Sequence, residues 1–249
     1  MQVTNIQESL WYGFKRLDFT FCDRQAIVVF PKEPDAGKNF LLKTEYFGAF
    51  PNLEVAMLER GFHLAHVQNE TRWCKPTDTE MQASFIHWLS KEYGLAPRCT
   101  PVGMSCGGMQ AIYLSAKHPE LVNACYLDAP VVNLLSCPAG LGRAGNGMWP
   151  EFEQAMGITL SELIGSREHP LDYVPAMATQ KVPVFLVAGD SDGVVPYCEN
   201  GALVDQIYRK MGGDITTLVK PGCDHHPHGL EDPTPIVEFI LKHSIRFDS

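Results

Sequence analysis

The stretch Gly103-Met104-Ser105-Cys106-Gly107-Gly108 constrains this chain more than any other. Cys99 to Val102 precede it, a short and partly apolar run that reads as the end of a buried strand. Met109 to Ala116 follow, rich in small and apolar residues, and read as the start of a helix. Strand, sharp turn and helix around G-x-S-x-G are the context of a nucleophile elbow. Such a turn strains the backbone at Ser105 and lifts its hydroxyl clear of the sheet. Gly103 and Gly107 let the two arms pass closely, because neither carries a Cβ. Ser105 then sits at a helix N-terminus, where free N–H groups favour developing negative charge. The bland alternative, a plain glycine-rich turn, is disfavoured by the flanking strand and helix.

The rest of the chain alternates strands with helices. Phe14 to Phe21 and Gln25 to Phe30 read as an antiparallel hairpin. Phe40 to Leu42 is a short apolar run, and Phe62 to Val67 a strand. Asn52 is expected to cap a helix over Leu53 to Arg60 that Gly61 ends. Thr77 with Glu80 has a capping-box pattern, with Met81, Phe85, Trp88 and Leu89 on one face after it. Asn123 to Asp128, Val182 to Ala188 and Ile215 to Val219 read as strands, with helices near Ala202 to Met211 and from Thr234 through Leu241. The alternation predicts an α/β fold with a mostly parallel sheet covered on both faces. Between Asp128 and Val182 the rhythm breaks into short helical pieces. Residues 1–249 therefore read as one domain with a small helical cap inserted over about 131–178.

With 249 residues, 45% of them hydrophobic, the chain has ample material for one core. A net charge of −9 argues against an extended nucleic-acid footprint. No run of 18 apolar residues exists to span a membrane, and Met1 to Asn5 show no leader signature. Eight cysteines scattered without C-x-x-C spacing fit reduced, mostly buried thiols and a cytoplasmic setting. A homo-oligomer is left open.

A serine hydroxyl is a poor nucleophile until a base takes its proton, and the base needs an acid to orient it. After the strand ending at Ala188 comes Gly189-Asp190-Ser191-Asp192-Gly193-Val194-Val195-Pro196. After the strand ending at Val219 comes Gly222-Cys223-Asp224-His225-His226-Pro227-His228. The order Ser, Asp, His, each just beyond a strand, places all three at the carboxyl ends of the sheet. Of the three histidines, His225 is favoured as base because it lies nearest the strand end. Asp224 would then need a positive φ, Pro227 biases His226 outward, and His228 bonds a neighbouring loop. Asp224 and the three histidines also raise a metal, but the tight spacing has no distant partner motif, so no metal and no cofactor are expected.

In G-M-S-C-G-G, G-D-S-D-G-V-V-P and H-H-P-H-G-L, the chain resembles the α/β-hydrolase superfamily over nearly its whole length, above all its bacterial esterases and lipases. The resemblance implies Ser105 as nucleophile and His225 as base. Asp192, rather than Asp190, is its triad acid, because G-x-x-D-x-x-V-P falls on Gly189, Asp192, Val195 and Pro196. It implies an oxyanion hole with Cys106 as one backbone donor. The loop after Leu42 should supply the other. Lys43-Thr44-Glu45-Tyr46 departs from the H-G patterns usual there, and Thr44 is the expected donor. Glu45 should pair with Lys43 or another base, or hold a substrate group. Trp149 and Met148 are expected in a substrate pocket under the cap, with packing as the competing role. The activity implied is hydrolysis of a small-molecule carboxylic ester through an acyl-enzyme. The alternatives are a serine peptidase of the prolyl-oligopeptidase type and a non-catalytic, hydrolase-like binding protein.

Overall fold

In the computed structural model, which describes residues 3–145 and 147–245, nine strands form one sheet in the order β1-β2-β3-β5-β4-β6-β7-β8-β9. Met1 and Gln2, part of the stretch read for a leader, lie outside the described residues. The strands are β1 (Val3–Trp11), β2 (Phe14–Phe21), β3 (Arg24–Phe30), β4 (Phe40–Lys43), β5 (His63–Val67), β6 (Thr100–Met104), β7 (Cys125–Asp128), β8 (Val184–Gly189) and β9 (Ile215–Lys220). β1 to β3 form an antiparallel meander that meets β5 antiparallel, and the six strands from β5 to β9 in the sheet are parallel. Sequence reasoning misses β1. Nearly all of it is exposed, so it lacks the buried alternation that marks a half-covered strand.

Helices cover both faces. One core cluster joins the sheet to α2 (Pro76–Tyr93), α3 (Cys106–Lys117), α6 (Pro170–Thr179) and α7 (Gly201–Met211). The other joins it to α1 (Asn52–Leu58) and α8 (Thr234–His243). Two caps differ from expectation. Asn52 is the first residue inside α1, with Pro51 in the capping position and no side-chain cap bond. At α2 the box is closed by Asp78, whose carboxylate accepts from Lys75 N at 2.8 Å. Thr77 instead donates to Glu70 at 2.7 Å. Gly61 does end the α1 segment, at φ 88°, with its N–H on Leu58 O at 3.1 Å.

Between β7 and β8 lie α4 (Trp149–Met156), α5 (Leu160–Gly165) and α6. Within the stretch read from sequence as a cap, α6 packs on α3 and α7 as part of the helical layer. A third cluster, holding Phe152 and Leu163 from α4 and α5, packs against Trp73, Met109 and Tyr113. The chain leaves β4 outward to β5, then returns through α2 to β6 on the other side. The carboxyl ends of β4 and β6 therefore border the switch point where an open parallel sheet forms its crevice.

Candidate active site

Ser105 follows β6 at φ 53° and ψ −121°, a region that non-glycine residues rarely occupy. The turn is held from both sides. Ser105 N donates to Asp128 O at 2.9 Å, and Val131 N donates to Ser105 O at 3.0 Å. A Cβ on Gly103 would meet Gly107 O at 2.6 Å, and one on Gly108 would meet Pro130 Cβ at 2.4 Å. Neither obstacle can swing aside, so strand and helix pass this closely only with glycine at both positions.

The loops after β8 and β9 bring an acid and a base to the serine. His225 Nδ1 lies 2.8 Å from Asp192 Oδ2, and His225 Nε2 lies 3.1 Å from Ser105 Oγ. The carboxylate only accepts, so Nδ1 carries the ring proton and Nε2 is left to accept from the serine hydroxyl. Asp192 Oδ1 is held in turn by Val194 N at 2.8 Å and Val195 N at 2.7 Å. Asp190 braces the turn instead, accepting from Gly222 N at 2.7 Å and Ser191 Oγ at 2.9 Å. The positive φ in the His225 loop falls on Gly222, at 67°, and not on Asp224. Asp224 instead accepts from Gly193 N at 2.9 Å and His225 N at 2.7 Å, stitching the acid and base loops together.

The other two histidines have separate positions. His226 is exposed and stacks on Phe50, with ring centroids 5.4 Å apart. His228 is buried, and its Nδ1 lies 2.9 Å from Asp128 Oδ1. Asp128 also accepts from Tyr126 Oη at 2.7 Å and from Gly229 N. Burial alone would push the Asp128 carboxyl up. The bonds and charge of His228, aided by Tyr126 and Gly229, outweigh it and hold the group below the ordinary carboxylate range.

Ser105, Cys106 and His225 open on a cavity of about 310 Å³ walled also by Tyr46, Phe50, Arg72, Met148 and Val195. Cys106 begins α3, where a helix has N–H groups without intrahelical acceptors. Thr44 is not positioned as the second donor. Its N–H is spent on Val102 O at 3.2 Å, and its hydroxyl donates to Gly107 O at 2.8 Å. Tyr46, from the loop after β4, lines the cavity, and burial holds its phenol in the protonated form.

The fold agrees with known proteins. Residues 63–161 match the family model described as alpha/beta hydrolase fold. Pyrococcus horikoshii acylaminoacyl peptidase superposes with a TM-score of 0.71 at 13% identity, over 99% of this chain and 43% of that one. Porphyromonas gingivalis dipeptidyl peptidase 4 gives 0.69 at 13% identity, over 97% and 36%. The chain is an α/β-hydrolase-fold protein. A stretch of 127 residues is 27% identical to the acylamino-acid-releasing enzyme of Mus musculus, covering 47% of this chain and 16% of that protein. The chain thus spans less than half the length of each of these relatives.

Within the α/β-hydrolase fold, the remaining expected residues separate. Met148 lines the Ser105 cavity. Trp149 does not; it is partly buried against the cap cluster, its ring 5.6 Å from that of Phe152. Among the described residues Glu45 forms no ion pair with a base. Its Oε2 accepts from Gln110 Nε2 at 2.9 Å and Asn69 Nδ2 at 3.0 Å. Lys43 instead forms a buried ion pair with Glu54. Asn69 also donates to Thr44 O at 2.7 Å, so this buried amide network fixes the loop carrying Tyr46. Sequence reasoning passes over Asn69, Gln110 and Gln82, which donates to Asn69 Oδ1 at 3.0 Å, because isolated amides carry no spacing signal. It also passes over Arg72. That guanidinium reaches the cavity wall, lies 4.9 Å from the Trp73 ring centroid, and binds Glu151 of α4 through Nε at 2.8 Å. Trp73 Nε1 donates to the same carboxylate at 3.0 Å, which ties the cap to the sheet. Among the described residues no helix is long and apolar enough to cross a membrane.

Proposed function

We propose that this chain is a serine hydrolase that cleaves a carboxylic acyl bond through an acyl-enzyme on Ser105. The observation that carries this reading is His225 bridging Asp192 at 2.8 Å and Ser105 at 3.1 Å. Ser105 Oγ attacks the carbonyl carbon while His225 Nε2 takes its proton, and Asp192 steadies the imidazolium. The Cys106 N–H and the Tyr46 hydroxyl receive the oxyanion. His225 then protonates the leaving group, and water releases the acyl group by the same steps in reverse.

Two considerations favour an amide leaving group over the simple ester expected from sequence. The relatives named above are all named for release of amino acids or peptides. The cavity also carries the cationic Arg72 beside an otherwise largely apolar wall, which suits the polar backbone of a short acylated peptide. The size of about 310 Å³ admits a small group and not a folded chain. The test is a comparison of kcat/KM for p-nitroanilides of short acyl-peptides with p-nitrophenyl esters of matched acyl group. Turnover of anilides within about two orders of magnitude of the activated esters supports the peptidase reading, and ester turnover alone returns the chain to the esterases.

A further inference from the structure

His225, His226 and His228 each bring a ring nitrogen into one cluster, with the three ligating atoms all within 4.8 Å of one another. Their ring centroids are 4.7 to 5.0 Å apart. Spacing along the chain makes this a weak metal motif, but the fold adds what the spacing lacks. His225 gives its Nδ1–H to Asp192 at 2.8 Å, and His228 gives its Nδ1–H to Asp128 at 2.9 Å. In both rings the carboxylate fixes the tautomer and leaves Nε2 with its lone pair. A carboxylate behind the imidazole is the common support of a metal-bound histidine, and it occurs here twice. The third ring, His226, is exposed and has room to adjust. All three line the Ser105 cavity, so an ion has a way in from solvent.

We propose that these three histidines form an inhibitory site for a borderline divalent transition ion of the Zn²⁺ or Cu²⁺ class. Three neutral imidazoles suit such ions and not Mg²⁺ or Ca²⁺, which take oxygen ligands. Tetrahedral coordination at about 2.0–2.1 Å needs the nitrogens roughly 3.4 Å apart, a contraction that rotation of the exposed His226 supplies most easily. The fourth position is left to water or Ser105 Oγ. The ion takes the Nε2 lone pair of His225, so the serine loses its proton acceptor while Asp128 and Asp192 offset the added charge. Metal binding stands on geometry alone; inhibition rests on the hydrolase reading above.

The test titrates the chain with Zn²⁺ against a chromophoric zinc indicator, for the wild type, His226→Ala and His228→Gln. In parallel it follows p-nitrophenyl ester hydrolysis, each protein normalised to its own metal-free rate. His226 is exposed, so its replacement leaves the fold intact, which circular dichroism checks. The expected result is one Zn²⁺ per chain and affinity weakened about tenfold or more in each variant. Inhibition should follow occupancy, reverse with EDTA and be absent with Mg²⁺. Zinc affinity unchanged in His226→Ala, or inhibition that does not track binding, would overturn the proposal. Histidine-dependent zinc binding by a chain that hydrolyses none of the substrates keeps the metal site and removes the hydrolase reading.

Discussion

His228 Nδ1 and Asp128 Oδ1 are 2.9 Å apart in the interior, and the His228 ring lies 4.7 Å from that of His225. Two buried Asp–His pairs thus stand side by side, and only one of them reaches Ser105. This separates the roles of the three histidines. His225→Gln should lower kcat by roughly 10³-fold or more without changing stability greatly. His226→Gln should keep most activity. His228→Gln breaks a buried pair and should destabilise the fold by about 2–4 kcal/mol. Activity assays and thermal unfolding of the three variants check this, and a His228 variant that is fully stable yet inactive would reverse the assignment.

Tyr46 and Thr44 separate in the same way. Tyr46→Phe removes a hydroxyl from the cavity wall and should lower kcat on the order of 10²-fold, with KM little changed. Thr44→Val removes the bond to Gly107 O and should act on stability by about 1 kcal/mol. If Thr44→Val has the larger effect on kcat at unchanged stability, the β4 loop supplies its donor differently.

The cap should set acyl preference through Met148 and not Trp149. Met148→Ala enlarges the Ser105 cavity and should move the optimum of an acyl chain-length series toward longer chains. Trp149→Ala loosens the cap cluster, and its main effect should be a lower Tm. A shift in preference confined to the Trp149 variant would contradict the placement.

Stability should fall on the acid side, in two stages. Burial pushes His63 and His66 below the ordinary histidine range despite their backbone partners. The unfolded chain therefore takes up protons at these positions before the folded chain does, and stability declines as pH drops below about 6.5. Asp128 is held low in the folded state, so its contribution is present above about pH 4 and is lost below that. Tm measured from pH 8 to about pH 2 should be level at first, fall below about pH 6.5 and fall again below about pH 4. A Tm that rises between pH 7 and pH 5 would contradict this account.

Ser105, Asp192 and His225 are legible in the sequence because each follows a short apolar strand and carries its own turn chemistry. The alternation of strands and helices likewise gives the parallel half of the sheet. What is illegible depends on long-range geometry. β1 has no buried face of its own. The partner of Glu45 cannot be read from Lys43 two residues before it, because β4 ends at Lys43 and the turn that follows breaks the strand's alternation of faces. Lys43 turns instead to Glu54, and Glu45 to amides on α3 and on the loop after β5. Asp128 reads as the end of a buried strand, and nothing nearby announces that His228, a hundred residues on, will close over it.

The central claim is that Ser105 is a nucleophile activated by His225. The most direct measurement is fluorophosphonate labelling of the purified chain, followed by peptide mass spectrometry. The account predicts one adduct, on the peptide carrying Ser105, abolished in Ser105→Ala and slowed roughly 10³-fold in His225→Gln. No adduct on the folded wild-type chain, or an adduct that survives Ser105→Ala, would contradict it.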